Sequence, residues 1–282
     1  MFDRILAVLD EPDRRDPVLG AALRLARADG ARLDLLQAVP FLETIAEMPH
    51  ELSPQRVGDD EAAEVWIDAL VASLRAEGIE AEGFTDIGRS ALMIAAAAER
   101  IDASLIAIRA LPARRVRALI DLTPIPVLIV PATSASTGPG QASGRVLVPL
   151  DGEEPSMKVV PVAIALARTS AVGITFVPVG PVRWESMGHT AVERAREEGV
   201  EADLVEGDVL RLVRSLPAGW IVLRPADGWT SRLWRESPVP VLAARRALRP
   251  SAARPPVLDP PRVLWTRRTP PNPIEGVGEP WQ

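Results

Sequence analysis

Arg4-Ile-Leu-Ala-Val-Leu-Asp10 returns 141 positions later as Arg145-Val-Leu-Val-Pro-Leu-Asp151. Each is a continuous apolar run closed by an aspartate, the pattern of a strand buried on both faces of a parallel sheet. The correspondence extends outward without a gap. Leu25-Ala-Arg27 meets Leu166-Ala-Arg168, and Leu33-Asp-Leu-Leu36 meets Ile174-Thr-Phe-Val177. Further on, Gly78-Ile-Glu-Ala81 meets Gly199-Val-Glu-Ala202 at an offset of 121, so the second copy is twenty residues shorter between its second and third strands. A repeat with the period of a small domain implies one α/β unit used twice.

Local signals fill in each unit. Asp16-Pro17 opens a helix whose apolar residues Val18, Ala21, Ala22, Leu25 and Ala26 recur at helical spacing, and Gly30 stops it. Leu33 to Val39 reads as the second strand, and residues 41–58, with Pro49, Ser53, Pro54 and Gly58, as a long loop. A helix is expected over Asp59–Glu77, capped by Asp59 or Asp60, with Val65, Leu70, Val71 and Leu74 on its apolar side. Ile79–Thr85, Ser104–Ile108 and Pro126–Val130 read as strands, Ser90–Arg100 and Arg114–Asp121 as helices. In the second copy the expected strands are Val146–Leu150, Gly173–Val179, Glu201–Glu206, Trp220–Leu223 and Val239–Ala243. Its expected helices are Ser156–Thr169, Thr190–Glu198, Asp208–Leu216 and Ser231–Arg235, which leaves His189 beside Gly188 in a loop. Alternating strands and helices imply parallel strands with helices on both faces, and ligand sites at the carboxyl ends of the strands.

This divides the chain into an α/β domain over 1–131, a linker of small and polar residues over 132–143, a second α/β domain over 144–244, and a tail over 245–282. Nine of the tail's 38 residues are proline, and no period persists there. Its Trp265 and Trp281, flanking Arg267 and Arg268, are costly to leave in water, which makes the tail a candidate docking segment as well as a candidate for disorder.

Composition narrows the chemistry. The 282 residues include no cysteine, two histidines (His50 and His189), no tyrosine and one lysine, Lys158. A thiolate site, a histidine metal cluster or a Ser-His-Asp triad has almost no raw material. The chain begins with a strand pattern and has no apolar run of membrane-spanning length, so a soluble, cytoplasmic protein is expected. Net charge is −6, with the tail carrying +4 and the rest −10. An acidic body argues against nucleic-acid binding by the domains. Carboxylates at Asp10, Glu11, Glu153 and Glu154 have no spacing that pairs a general acid with a general base. Trp220, Trp229 and Trp234 are read as packing residues, with base stacking the alternative.

The ordered series of these segments resembles the universal stress proteins. Arg145-Val-Leu-Val-Pro-Leu-Asp-Gly-Glu-Glu-Pro-Ser156 is similar to the family's first strand and loop, where the strand ends in Asp-Gly-Ser. Gly30-Ala-Arg-Leu33 is similar to the start of its second strand. Pro126-Val-Leu-Ile-Val130 and Pro240-Val-Leu-Ala243 are similar to its closing strand. The resemblance implies two tandem five-stranded parallel α/β units of the Rossmann-like, adenine nucleotide alpha hydrolase-like type. It also implies pairing of the two copies through their last strands, as a pseudo-dimer within one chain, with a homodimer possible.

Nucleotide-binding members carry G-x-x-G-x9-G-[ST] after the fourth strand, where bare backbone amides approach phosphate. This chain departs from that pattern twice. Arg109-Ala-Leu-Pro-Ala-Arg-Arg-Val-Arg-Ala-Leu-Ile-Asp-Leu-Thr123 has no glycine, and the segment after Leu223 has Gly228 alone. Pro112 and Pro225 each remove a donor. Arg109, Arg114, Arg115, Arg224 and Arg232 offer a partial substitute as anion ligands. The expectation is a stress-response protein that regulates or scaffolds by protein–protein interaction, is not an enzyme, holds no cofactor, and docks on a larger assembly or on itself through its tail. The alternative is a regulator that binds ATP or AMP in the second copy, where the resemblance points to Asp151, Gly152, Arg224, Asp227 and Gly228.

Overall fold

In the chain's first half, β1 (Arg4–Leu9), β2 (Arg32–Val39), β3 (Ala81–Ile87), β4 (Leu105–Arg109) and β5 (Val127–Val130) alternate with α1 (Pro17–Asp29), α2 (Val57–Ala76), α3 (Ala91–Arg100) and α4 (Ala113–Leu122). The second half repeats the series. Its strands are β6 (Arg145–Leu150), β7 (Ile174–Pro178), β8 (Ala202–Leu204), β9 (Ala218–Leu223) and β10 (Val241–Ala243). Its helices are α5 (Val160–Ser170), α6 (Trp184–Glu197), α7 (Val209–Ser215) and α8 (Trp229–Glu236). These elements come from a computed structural model, which describes residues 1–9, 16–39, 57–87, 90–131, 144–179, 184–216, 218–225 and 229–245. Residues Met1–Ser251 form one compact unit.

The ten strands form one sheet in the order β3-β2-β1-β4-β5-β10-β9-β6-β7-β8. Each half is parallel within itself, and the halves meet where β5 runs antiparallel to β10. The register at this seam is self-symmetric: Leu128 faces Leu242, while Val127 faces Ala243 and Ile129 faces Val241. Successive strand residues point to opposite faces, so each strand feeds two cores. Ile5, Ala7 and Leu9 belong to the core that also takes residues of α1, α2, α5 and α6; Leu6 and Val8 belong to the core that takes residues of α3, α4, α7 and α8.

The repeat persists down to single contacts. Arg27 pairs with Glu77 at 2.7 Å, and Arg168 with Glu198 at 3.1 Å. Arg75 donates to the Ala81 carbonyl, and Arg196 to the Ala202 carbonyl. Helix α1 ends on Gly30 in the left-handed region, and α5 on Ala171 there. Side-chain contacts also cross between halves, among them an ion pair of Arg245 with Asp121. Thr169 donates to Asp29 at 2.9 Å, and the Arg24 guanidinium lies 5.8 Å from the centre of the Trp220 ring.

Several boundaries differ from the sequence reading. Helix α2 starts at Val57, so Asp59 and Asp60 lie inside it rather than at its cap. Val65 is 71% exposed, because the buried stripe is Ala63, Ile67, Leu70, Val71 and Leu74, and Val65 falls on the opposite side of it. Strand β3 lies two residues later than expected. The expected helix over Ser156–Thr169 divides into a 3-10 turn, Glu154–Val159, followed by α5. Pro161 inside one continuous helix would lack its donor and collide with the carbonyl four residues back, so the α-helix opens just before it. Helix α6 begins at Trp184, which places His189 on a helix and not in a loop. Gly188 lies in the same helix as a contact point: a Cβ there would sit 2.8 Å from a Leu204 methyl. Helix α2 has 20 residues and α6 has 14, so part of the second copy's deficit is helix and the rest is mainly the connection before it.

Candidate functional site

Strand order reverses between β1 and β4 and, in the second half, between β6 and β9. The carboxyl edge beside such a reversal is where a ligand can enter between diverging connections. At the second one, Leu150 leads into Asp151-Gly152-Glu153, and Leu223 into Arg224-Pro225. The Asp151 Oδ1 accepts from the Glu153 amide at 3.0 Å, closing a tight turn over Gly152, whose φ of +79° suits glycine. Arg224 Nη1 lies 3.3 Å from Glu153 Oε2 and 3.9 Å from Asp151 Oδ2. The structure therefore brings together three residues of two loops far apart in the chain. Asp151, Gly152 and Arg224 were candidates from sequence; the partnership with Glu153 carried no sequence signal beyond its place two residues after Asp151. Asp227 and Gly228 lie outside the described residues, as do Asp10 and Glu11 of the first copy.

The other arginines disperse. Arg232 pairs along α8 with Glu236 at 3.1 Å, and Arg114 and Arg115 are exposed in the first turn of α4. Arg109 ends β4. Between β4 and α4 stand only Ala110, Leu111 and Pro112. The Ala110 amide donates to the Val130 carbonyl at 2.8 Å, and Pro112 has no amide to offer. Trp220 and Trp234 are buried in the two cores, consistent with packing rather than base stacking.

Among the described residues, no group of three or more His, Asp or Glu is placed to hold a metal ion. No helix among them is long and apolar enough to cross a membrane. Trp265, Arg267, Arg268 and Trp281 lie outside the described residues.

Residues 1–131 match the model of the universal stress protein family. The N-terminal half of this chain belongs to the universal stress protein family. The fold of a universal stress protein from Archaeoglobus fulgidus DSM 4304 extends the likeness over both halves. It superposes with a TM-score of 0.68, covering 87% of this chain and 97% of that one at 17% identity. A functionally unknown protein from Pseudomonas aeruginosa PAO1 superposes at 0.60, covering 87% and 93% at 18% identity. At such identities the likeness is one of fold. No curated protein matches the sequence.

Proposed function

We propose that this chain is a non-catalytic regulatory or scaffolding protein of the universal stress protein type, with two such domains over 1–131 and 144–244 joined by a linker over 132–143. One observation carries the reading against ATP: the three-residue connection from β4 to α4, with one amide spent on Val130 and a proline in place of another. A triphosphate needs several convergent backbone donors, and a rigid turn of this length supplies few. The absence of an evident nucleophile–base pair in the sequence supports binding over catalysis. Protein partners fit the arginine-rich tail with its two tryptophans, opposite in charge to the body.

Thermal melting tests it. ATP, AMP and cyclic AMP are expected to leave the melting temperature unchanged; a saturable rise with any of them overturns the reading, since a ligand at a hundred times its Kd adds about 2.7 kcal/mol. Pull-downs with and without residues 245–282 test the docking role, and identical partner sets would remove it.

The second reading, a nucleotide-binding regulator, is favoured by the meeting of Asp151, Gly152 and Arg224 beside the strand reversal. A rise in melting temperature that disappears in Arg224→Gln would select it.

A further inference from the structure

Arg224 and Glu153 are 71 residues apart in sequence and 3.3 Å apart in space. The backbone of Glu153 is held on both sides. Its amide donates to Asp151, and its carbonyl accepts from the Ser156 amide at 2.9 Å and the Ser156 hydroxyl at 2.7 Å. Ser156 is itself buried, so this anchor is part of the core and not a surface accident. The turn over Gly152 aims the Glu153 side chain back across the end of β6 toward β9, where it meets the guanidinium. Arg224 is mostly covered and faces two carboxylates, Asp151 and Glu153. Counted formally, these three groups sum to −1, so the edge repels an approaching anion although it contains an arginine well shaped to bind one.

We propose that Glu153 is a built-in latch: its carboxylate occupies Arg224 and keeps the β6/β9 edge closed to phosphate-bearing anions. The inference deepens the second reading above, because it names what controls anion access at that site. Neutralising Glu153 leaves Arg224 opposite Asp151 alone, with a formal sum of zero and one face of the guanidinium released. The partner of Asp151 Oδ1 is a backbone amide, so the turn survives the change.

The experiment is calorimetric titration of the full chain with inorganic phosphate at constant ionic strength, comparing the wild type with Glu153→Gln, Arg224→Gln and the double variant. Glu153→Gln is expected to bind phosphate about fivefold more tightly than the wild type, the scale set by the modest strength of an exposed ion pair. The double variant is expected to lose that gain. Without phosphate, Glu153→Gln is expected to melt as the wild type does, since its side chain is largely exposed. Equal affinities for Glu153→Gln and the wild type overturn the latch, and so does a gain that persists without Arg224. A wild type that binds ATP sinks the reading against nucleotides but leaves this comparison intact, because only the Arg224-dependent difference is read.

Discussion

Arg4 closes a two-pronged ion pair on Asp34, with Nε 2.6 Å from Oδ2 and Nη2 3.0 Å from Oδ1. Arg32 approaches the same carboxylate at 3.7 Å. Asp34 is 1% exposed, so this carboxylate survives burial only through its partners. In the second half the same geometry links Arg145 Nε to Thr175 Oγ1 at 2.8 Å, with a neutral acceptor. There the charge is met instead by Glu201 and Asp203, at the rim of the sheet.

Asp34→Ala is expected to lower stability by about 3 kcal/mol, the lower end of the cost of breaking a buried pair, because the arginines keep some access to water. Asp34→Thr, which copies the second half, is expected to recover part of that loss. Urea unfolding measures both. The hydrogen bond to Asp34 raises the Arg4 pKa above its ordinary value. A raised pKa stabilises below the unfolded value and is lost only as pH climbs through the folded one, so the arginine's share stays constant across neutral pH.

Glu201 accepts from Arg145 Nη1 at 2.6 Å, and this hydrogen bond, followed by the arginine's charge, lowers the Glu201 pKa. A depressed carboxylate stabilises above its unfolded pKa and loses that contribution as pH falls through its folded pKa. The expected outcome is a Glu201 titration midpoint below the ordinary glutamate range by NMR, which returns toward it in Arg145→Met. A midpoint unmoved by that substitution refutes the assignment.

Asp29 ties the two halves together. Its side chain is buried, and it accepts from the Phe2 amide at 3.0 Å, from Thr169 at 2.9 Å, and from the Met1 ammonium at 3.2 Å. Thr169→Val is expected to cost about 1 kcal/mol, the value of one hydrogen bond, and Asp29→Ala about 3 kcal/mol, because several donors lose their acceptor. With the sheet continuous across β5 and β10, both variants are expected to unfold in a single transition. Far-UV circular dichroism and tryptophan fluorescence should give coincident midpoints; separate ones would mean that the halves unfold independently.

Two glycines rank by what surrounds them. A Cβ on Gly219 would sit 2.9 Å from the Gly144 carbonyl oxygen, and one on Gly83 would sit 2.8 Å from Ile67 and 2.9 Å from Val71. Backbone yields less readily than side chains. Gly219→Ala is therefore expected to destabilise more than Gly83→Ala, each within about 1–3 kcal/mol. Thermal melting checks the order, and a reversed order would show that the backbone at Gly144, where β6 pairs with β9, is pliable.

The strands and most helix ends were legible because their signals are local. An apolar run closed by aspartate, Asp16 before Pro17, and the glycines at 30, 78 and 199 each act within a few residues. Some errors were local, as at Pro161, and others fell where packing against another element decided the outcome. His189 beside Gly188 reads as a loop residue, whereas Gly188 sits inside α6 with Leu204 of β8 against it. Val65 reads as core until the stripe through Ile67 and Leu74 is seen to face the sheet. At the candidate site, Asp151 and Gly152 were visible as the end of a strand. That Arg224 spends its charge on Glu153 was not visible, since 71 residues of chain separate them.

The sequence by itself determined that one α/β unit occurs twice and that residues 109–123 hold no glycine, because repeats and residue types are written along the chain. The pairing of last strands was expected from the resemblance; only the tertiary structure decided its register, with Leu128 facing Leu242, and which charges meet at the strand ends. Those outcomes depend on strand order, which places side chains next to partners that no local pattern can name.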